Sequence, residues 1–273
     1  MSSIDLFECT SLNIRITIVT EAKMTTQVER ILVLNPNSST SMTHGLEEVI
    51  RGMNLPQSAE ISFYTAPSDS PASINDGDDV LRSSDVVYKH LTESGTLQQY
   101  DAVLVACFSV HPLVRRLSEL EGARGKLLVT GIYEAAVTFS VNQRPPRKWG
   151  IVTTGKFWEA HLTEGLDSIP GVTDVHDRFA GVESTGLDAG DFHGGVDPAV
   201  VRQKLVEATK RLLGKGAVGC VIMGCAGMAG LEDIIRSAAV EEYGAEQGNR
   251  VIIVDGVWAG VEMLQQAVHN RER

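Results

Sequence analysis

Two cysteines stand where thiols can do chemistry. Cys107 follows the run Val103-Leu104-Val105-Ala106 and Cys225 follows Val221-Ile222-Met223-Gly224, so each thiol emerges where a buried strand stops. A matched pair of thiols can invert a carbon centre. A thiolate removes the proton from one face, leaving a planar carbanion, and a thiol delivers a proton to the opposite face. When the other enantiomer enters, the roles exchange, so the two groups must be alike and must flank the ligand. Cys225 is followed by Ala226-Gly227-Met228-Ala229-Gly230 and a predicted helix from Leu231. A thiol at a helix N-terminus is expected to ionise below the free value of about 8.5, because oriented N–H groups favour its charge. The plain alternative for a strand-end cysteine is a small buried hydrophobe, and that is the reading for Cys220. Neither a metal nor a disulfide accounts for the pair: no spaced set of Cys and His ligands accompanies it, and the four free cysteines suit a reducing compartment. His111, four residues after Cys107, is read as a helix-capping or packing residue in preference to one that orients the thiol.

The elements that position these thiols follow a regular alternation. From Arg30 onward, short β-branched runs alternate with amphipathic stretches, as when parallel strands are joined by helical crossovers. Strands are predicted at Ile31 to Leu34, Ile61 to Thr65, Ala102 to Ala106, Leu127 to Gly131, Gly150 to Thr153, Val175 to Phe179, Gly219 to Met223 and Val251 to Asp255, which divide into two sets of four. An internal repeat supports the division. Val33-Leu34-Asn35 and Ile151-Val152-Thr153 stand 118 positions apart, as do Val103 to Cys107 and Val221 to Cys225. The fourth strands match at an offset of 125, Leu127 to Gly131 against Ile252 to Gly256. In each half a strand ends in a polar turn that leads into a helix. Asn35-Pro36-Asn37-Ser38-Ser39-Thr40 precedes the helical run Thr43 to Ile50, and Thr153-Thr154-Gly155 precedes Phe157 to Leu166. Such turns lie at the carboxyl edge of open α/β sheets, where ligands bind. The bland reading is that these residues only make turns and caps; the symmetry of the halves favours two half-sites enclosing one ligand.

The bulk composition limits the function classes. A chain of 273 residues with 43% hydrophobic and 22% charged residues buries a substantial core. A net charge of -11 and a pI near 5.1 argue against nucleic acid and anionic membrane as partners, leaving a small-molecule substrate. No apolar run is long enough to span a bilayer and the N-terminus lacks the order of a secretory signal, so a cytoplasmic location is expected. Residues 1–29 read as an extension, with Met24 the expected functional start and the preceding residues dispensable.

Five motifs together resemble the aspartate/glutamate racemase superfamily, and within it the hydantoin and allantoin racemase branch. They are Asn35-Pro36-Asn37-Ser38-Ser39, Pro71-Ala72-Ser73-Ile74, Ala106-Cys107-Phe108-Ser109, Gly131-Ile132-Tyr133-Glu134-Ala135 and Gly224-Cys225-Ala226-Gly227-Met228. The likeness covers nearly everything from Arg30 onward. The Gly-Cys-Ala-Gly form lacks the Thr-His or Thr-Glu that follows the second cysteine in glutamate and aspartate racemases, which argues against free amino acids as substrates. The segment Cys107 to Val114 looks like the fungal branch. The resemblance implies two pseudo-symmetric Rossmann-like lobes, each a mainly parallel four-stranded sheet flanked by helices, with the active site between them. It implies lobe 1 from 30–134 plus 257–273 and lobe 2 from 135–256, the last helix, Val257 to His269, packing back on lobe 1. Cys107 and Cys225 would flank the ring carbon of a 5-substituted hydantoin or allantoin, with no cofactor and no metal. Asn35, Asn37, Ser38, Ser39, Ser109, Thr153, Thr154, Gly224, Ala226 and Gly227 are the candidate substrate-binding residues, their donors stabilising the developing enolate oxygen. A homo-oligomer is also implied. Three rivals remain: a cysteine-dependent decarboxylase or maleate-type isomerase of the same fold, and a non-catalytic small-molecule sensor. A dinucleotide-dependent dehydrogenase is disfavoured because the first turn lacks G-x-G-x-x-G spacing.

Overall fold

The computed structural model describes residues 28–56, 58–172 and 175–271; Cys9 and the expected start at Met24 lie outside them. The first half contains β1 (Glu29–Asn35), α1 (Thr40–Arg51), β2 (Ala59–Thr65), α2 (Gly77–Ser94), β3 (Ala102–Val105) and α3 (Pro112–Ser118). A minimal antiparallel pair, β4 (Glu121–Gly122) with β5 (Gly125–Lys126), leads to β6 (Leu128–Gly131) and α4 (Ile132–Val141). The second half contains β7 (Lys148–Thr153), α5 (Phe157–Gly165), β8 (Phe179–Ser184), α6 (Pro198–Leu213), β9 (Val218–Gly224), α7 (Glu232–Gly248), β10 (Ile252–Asp255) and α8 (Gly256–Arg271). Two parallel four-stranded sheets result, ordered β2-β1-β3-β6 and β10-β9-β7-β8. The internal repeat is carried into the pairing. Leu34 lies opposite Val105 in one sheet and Val152 opposite Met223 in the other, positions related by the same offset of 118.

Helices on both faces explain why the central strands are apolar throughout. In β1, Ile31 and Val33 face the layer between the sheets, whereas Leu32 and Leu34 face outward onto Val87 and Leu91 of α2 and Leu113 and Leu117 of α3. In the second sheet Ile151 and Ile222 face the middle layer, whereas Val152, Val221 and Met223 meet Leu205 and Leu212 of α6 and Ile235 of α7. The middle layer is one continuous core, because α4 and α8 each leave one sheet and pack beside the other. α4 follows β6 yet contacts β9 and β10, and α8 follows β10 yet contacts β1, β3 and β6. The chain therefore crosses between lobes through α4 itself, and the expected boundary after 134 falls inside a continuous helix. Gly260 lets α8 approach β3 closely; a Cβ there would collide with the side chain of Leu104.

One strand is displaced from its expected place. The segment Val175 to Arg178 is a turn, closed by the Phe179 N–H donating to His176 O at 3.1 Å, and the strand runs from Phe179 to Ser184. Gly181, at φ 107, sits where the pairing with β7 shifts register, and this bulge interrupts the apolar alternation that would have marked the strand. Among the described residues, no helix is long and apolar enough to cross a membrane.

Candidate active site

The carboxyl ends of β1, β3, β7 and β9 converge on one cleft, whose empty space out to solvent is about 520 Å³. Cys107 and Cys225 line it from opposite sheets, both partly buried free thiols. Asn35, Asn37, Thr154, Gly224, Ala226 and Gly227 line it as well. Asn35 at the end of β1 is almost wholly buried and organises the first turn: its Oδ1 accepts from Asn37 N–H at 3.1 Å, and its amide reaches Asn37 Oδ1 and Thr43 Oγ1, each at 3.1 Å. Asn37 Oδ1 also accepts from the Ser39 N–H at 2.9 Å, so the turn is held by its own side chains.

Four of the expected binding residues do not face the cleft. Ser38 Oγ donates to Ser70 O at 3.1 Å, and Ser39 is the N-cap of α1, accepting from Met42 N–H at 3.3 Å. Ser109 is fully buried and donates to Cys107 Sγ at 3.4 Å, so it reaches the site only through the thiol. Thr153 is fully buried and donates to Gly224 O at 2.9 Å, locking β7 to β9 at the base of the Cys225 turn. In each case the hydroxyl is engaged within the protein, by a backbone group or by the Cys107 sulfur. The cleft instead takes apolar walls that the sequence reading missed: Met42 and Leu46 from α1, Ile74, Ala106, Phe108 and Trp158. Met42 and Leu46 stand four apart on one face of α1, a periodic signal directly after the polar turn; Ile74 belongs to the quoted Pro71 to Ile74 motif. Ala189 closes the wall from the second lobe, and its N–H donates to Asn75 Oδ1 at 3.4 Å, joining the lobes beside the cleft.

The ionisation of the thiols departs from the sequence expectation. Burial pushes Cys107 up to about 12, against a partial lowering by the Ser109 hydroxyl. Burial likewise raises Cys225 to about 11, although the N–H groups of Gly227 and Met228 favour its charge. The helix expected from Leu231 is α7, which starts at Glu232 with Leu231 as its N-cap, and a short 3₁₀ turn, Ala226–Met228, separates it from Cys225. Few N–H groups therefore face the sulfur, and loss of water dominates. Charge on Cys225 also opposes charge on Cys107. His111 caps α3: its Nδ1 accepts from Leu113 N–H at 3.3 Å and its Nε2 meets Ser83 Oγ at 3.0 Å, while burial lowers it to about 3 and keeps it neutral. Cys220 is fully buried against Ser140, as a core residue. Among the described residues, no group of three or more His, Cys, Asp or Glu side chains is disposed to hold a metal ion.

Two parallel α/β lobes related by an internal repeat, with one thiol from each at a shared cleft, define a class of two-lobed enzymes with a pseudo-symmetric centre. The family model described as Asp/Glu/Hydantoin racemase matches residues 31–264, and the chain belongs to that family and so to the isomerases. An uncharacterised protein of Schizosaccharomyces pombe is 32% identical over 239 residues, covering 88% of this chain and 92% of its own length. A hydantoin racemase of a Pseudomonas species is 25% identical over 239 residues, covering 88% and 86%. The solved allantoin racemase from Klebsiella pneumoniae superposes with a TM-score of 0.70 at 25% identity, over 88% of each chain.

Proposed function

We propose that the chain is a cofactor-independent racemase of a 5-substituted hydantoin-type cyclic ureide, allantoin or hydantoin, working by proton transfer between Cys107 and Cys225. The observation that carries this is the pair itself: two thiols at repeat-equivalent positions, one from each sheet, lining one cleft. A single binding thiol or a one-sided proton donor would not need this duplication.

The reaction conserves its protons. The thiolate takes the proton on the ring carbon, leaving a planar carbanion delocalised onto the adjacent carbonyl oxygen as an enolate, and the opposite thiol gives its proton to the other face. The first sulfur ends as thiol and the second as thiolate, so the next turnover runs the opposite way. Because burial disfavours charge on either sulfur, a thiolate here is a strong base and its neighbour remains a neutral acid. Asn37 and the backbone from Gly224 to Gly227 line the cleft and supply polar groups for the ring carbonyls. Met42, Leu46, Ile74, Phe108 and Trp158 form an apolar wall that suits a neutral ring better than a dicarboxylate, which favours this substrate class over a maleate-type isomerisation.

The test follows the optical rotation of single-enantiomer allantoin and of a 5-alkylhydantoin in deuterated buffer, with the spontaneous rate subtracted. Loss of rotation with deuterium entering at the stereocentre is expected for one of them. C107S and C225S should each abolish racemisation, with proton exchange from one face surviving in one variant. Full racemisation by either variant would overturn the two-thiol mechanism.

A further inference from the structure

We propose that the amino end of the second sheet, opposite the end that forms the cleft, carries a binding site for a small dianionic oxyanion, a phosphate monoester or a dicarboxylate, held between Arg147 and Arg250. The first lobe fills the equivalent place with a carboxylate of its own; the second lobe leaves it open.

A second cavity, with about 720 Å³ of empty space out to solvent, lies at the amino ends of β7, β9 and β10. Arg147, Gly219, Tyr243 and Arg250 line it, and no Asp or Glu does among the described residues. Arg147 Nη1 reaches the Arg250 carbonyl at 3.5 Å, and among the described residues its guanidinium has no carboxylate partner. Arg250 Nη2 meets Glu246 Oε1 at 2.9 Å, but these side chains are 70% and 80% exposed, so water weakens the pair and an anion can replace it. The neighbouring cations also lack carboxylates: Lys148 Nζ donates to Lys215 O at 2.7 Å and Arg178 Nη1 to Arg147 O at 3.2 Å. Positive charge is thus concentrated here in a chain whose net charge is -11. The Tyr243 hydroxyl accepts from Val218 N–H at 3.1 Å and donates to Leu213 O at 2.8 Å, which fixes its ring as a wall of the cavity.

The internal repeat shows what the second lobe omits. Ile31 pairs with Ala102 and Trp149 with Cys220, partners related by the offset of 118, so Asp101 corresponds to Gly219. In the first lobe Asp101 is buried; its two oxygens accept from Arg124 at 2.6 Å each, and one also accepts from Arg30 N–H at 2.8 Å. In the second lobe Gly219 is the extra residue of a bulge, because Lys148 pairs with Val218 and Trp149 with Cys220. The Arg147 side chain lies over this glycine, where a Cβ would stand 3.3 Å from Nη1 and 3.4 Å from Cδ. Arg147 itself occupies the position of Glu29. Two carboxylates of the first lobe are therefore replaced by one guanidinium and one bare backbone position. A guanidinium presents a planar fork of donors that matches carboxylate or phosphate oxygens, and two of them at one cavity match a dianion. β9 runs from Val218 to Gly224, which separates this cavity from Cys225 by roughly 20 Å, so an anion bound here does not occupy the cleft.

The test is isothermal titration calorimetry of inorganic phosphate and of succinate into the full chain at about pH 8, where both are dianions, with ionic strength held constant by sodium chloride. At least one of them should bind at one site per chain with a Kd below about 1 mM, and the tighter binder distinguishes a phosphoryl from a dicarboxylate ligand. Arg147→Gln and Arg250→Gln should each weaken binding at least about tenfold. Gly219→Asp, which gives Arg147 the carboxylate that the first lobe already has, should abolish it. Melting in the absence of the anion identifies the variants that fold, and if Gly219→Asp does not, the two arginine variants still decide. A Kd above about 1 mM for both anions overturns the proposal, as does binding of undiminished strength in any folded variant, which would place the anion elsewhere, the cleft included. Binding is read without turnover, so this result is independent of the racemase assay.

Discussion

Replacing Gly224 by Ala should move Cys225 and cost stability at the same time. Gly224 ends the central strand β9 and pairs with Thr153 of β7. A Cβ there would lie 2.7 Å from Ile151 Cγ2, 2.8 Å from Val152 O and 2.9 Å from Thr153 Cβ, all inside contact distance. Two of these atoms belong to fully buried side chains and the third to the backbone of the neighbouring strand, so none can swing into solvent. Overpacking of this kind costs roughly 1–3 kcal/mol. Separation of the strands also breaks the 2.9 Å bond from the Thr153 hydroxyl to Gly224 O, a loss of about 1 kcal/mol. The sum, about 2–4 kcal/mol, corresponds to a fall in melting midpoint on the order of 5–15 °C for a chain of this size. Thr153→Val, which deletes the hydrogen bond and adds no volume, should show only the smaller part. The paired readout is the denaturation midpoint and the loss of optical rotation, and racemisation should fall more than tenfold in G224A. An unchanged midpoint would mean that the end of β9 yields to a methyl group, and the argument that close packing fixes Cys225 would fail.

The pH dependence of stability offers a second check. His111 is held at about 3, against an ordinary value of 6.5, so an unfolded chain binds a proton there that the native state refuses. Its contribution is complete above pH 6.5 and falls by about 1.4 kcal/mol per unit as the pH drops towards 3. Glu134, raised by burial from 4.5 to about 7, acts in the opposite sense: its contribution is complete below pH 4.5 and is lost as the pH rises through 7. Between pH 4.5 and 6.5 the two slopes oppose each other. His111→Asn should therefore make the melting midpoint rise on acidification across that window, and E134Q should make it fall; matching profiles for the two variants would contradict both assignments. Asp101 accepts from Arg124 through both oxygens at 2.6 Å and from Arg30 N–H at 2.8 Å. Asp101→Asn should cost about 2–4 kcal/mol in denaturant unfolding and leave kcat unchanged, because the pair lies at the amino end of β3, opposite the carboxyl ends that form the cleft; a lowered kcat at full folding would refute that separation.

Much of this protein is legible without coordinates, for a local reason. Strands buried on both faces must be apolar along their whole length and must end in turn residues, so seven of the eight main strands and both strand-end thiols could be read directly from runs such as Val103 to Ala106. The repeat offset then implied the symmetry of the two sheets. The displaced strand failed for the same reason: a bulge at Gly181 breaks the local pattern on which the reading depends. Only the tertiary structure decided which polar residues line the cleft. Ser38, Ser39 and Thr153 share turns with Asn37 and Thr154, and Ser109 shares one with Cys107, yet each hydroxyl meets an acceptor or donor within the protein, while Met42, Leu46 and Trp158 arrive from helices to wall the cleft. It also decided the state of the thiols. Residue type and spacing specify that a sulfur stands at a strand end, but its ionisation is set by how much water the assembled lobes exclude and how few N–H groups they leave pointing at it. Those quantities belong to atoms brought together from distant parts of the chain, and no local stretch of sequence contains them.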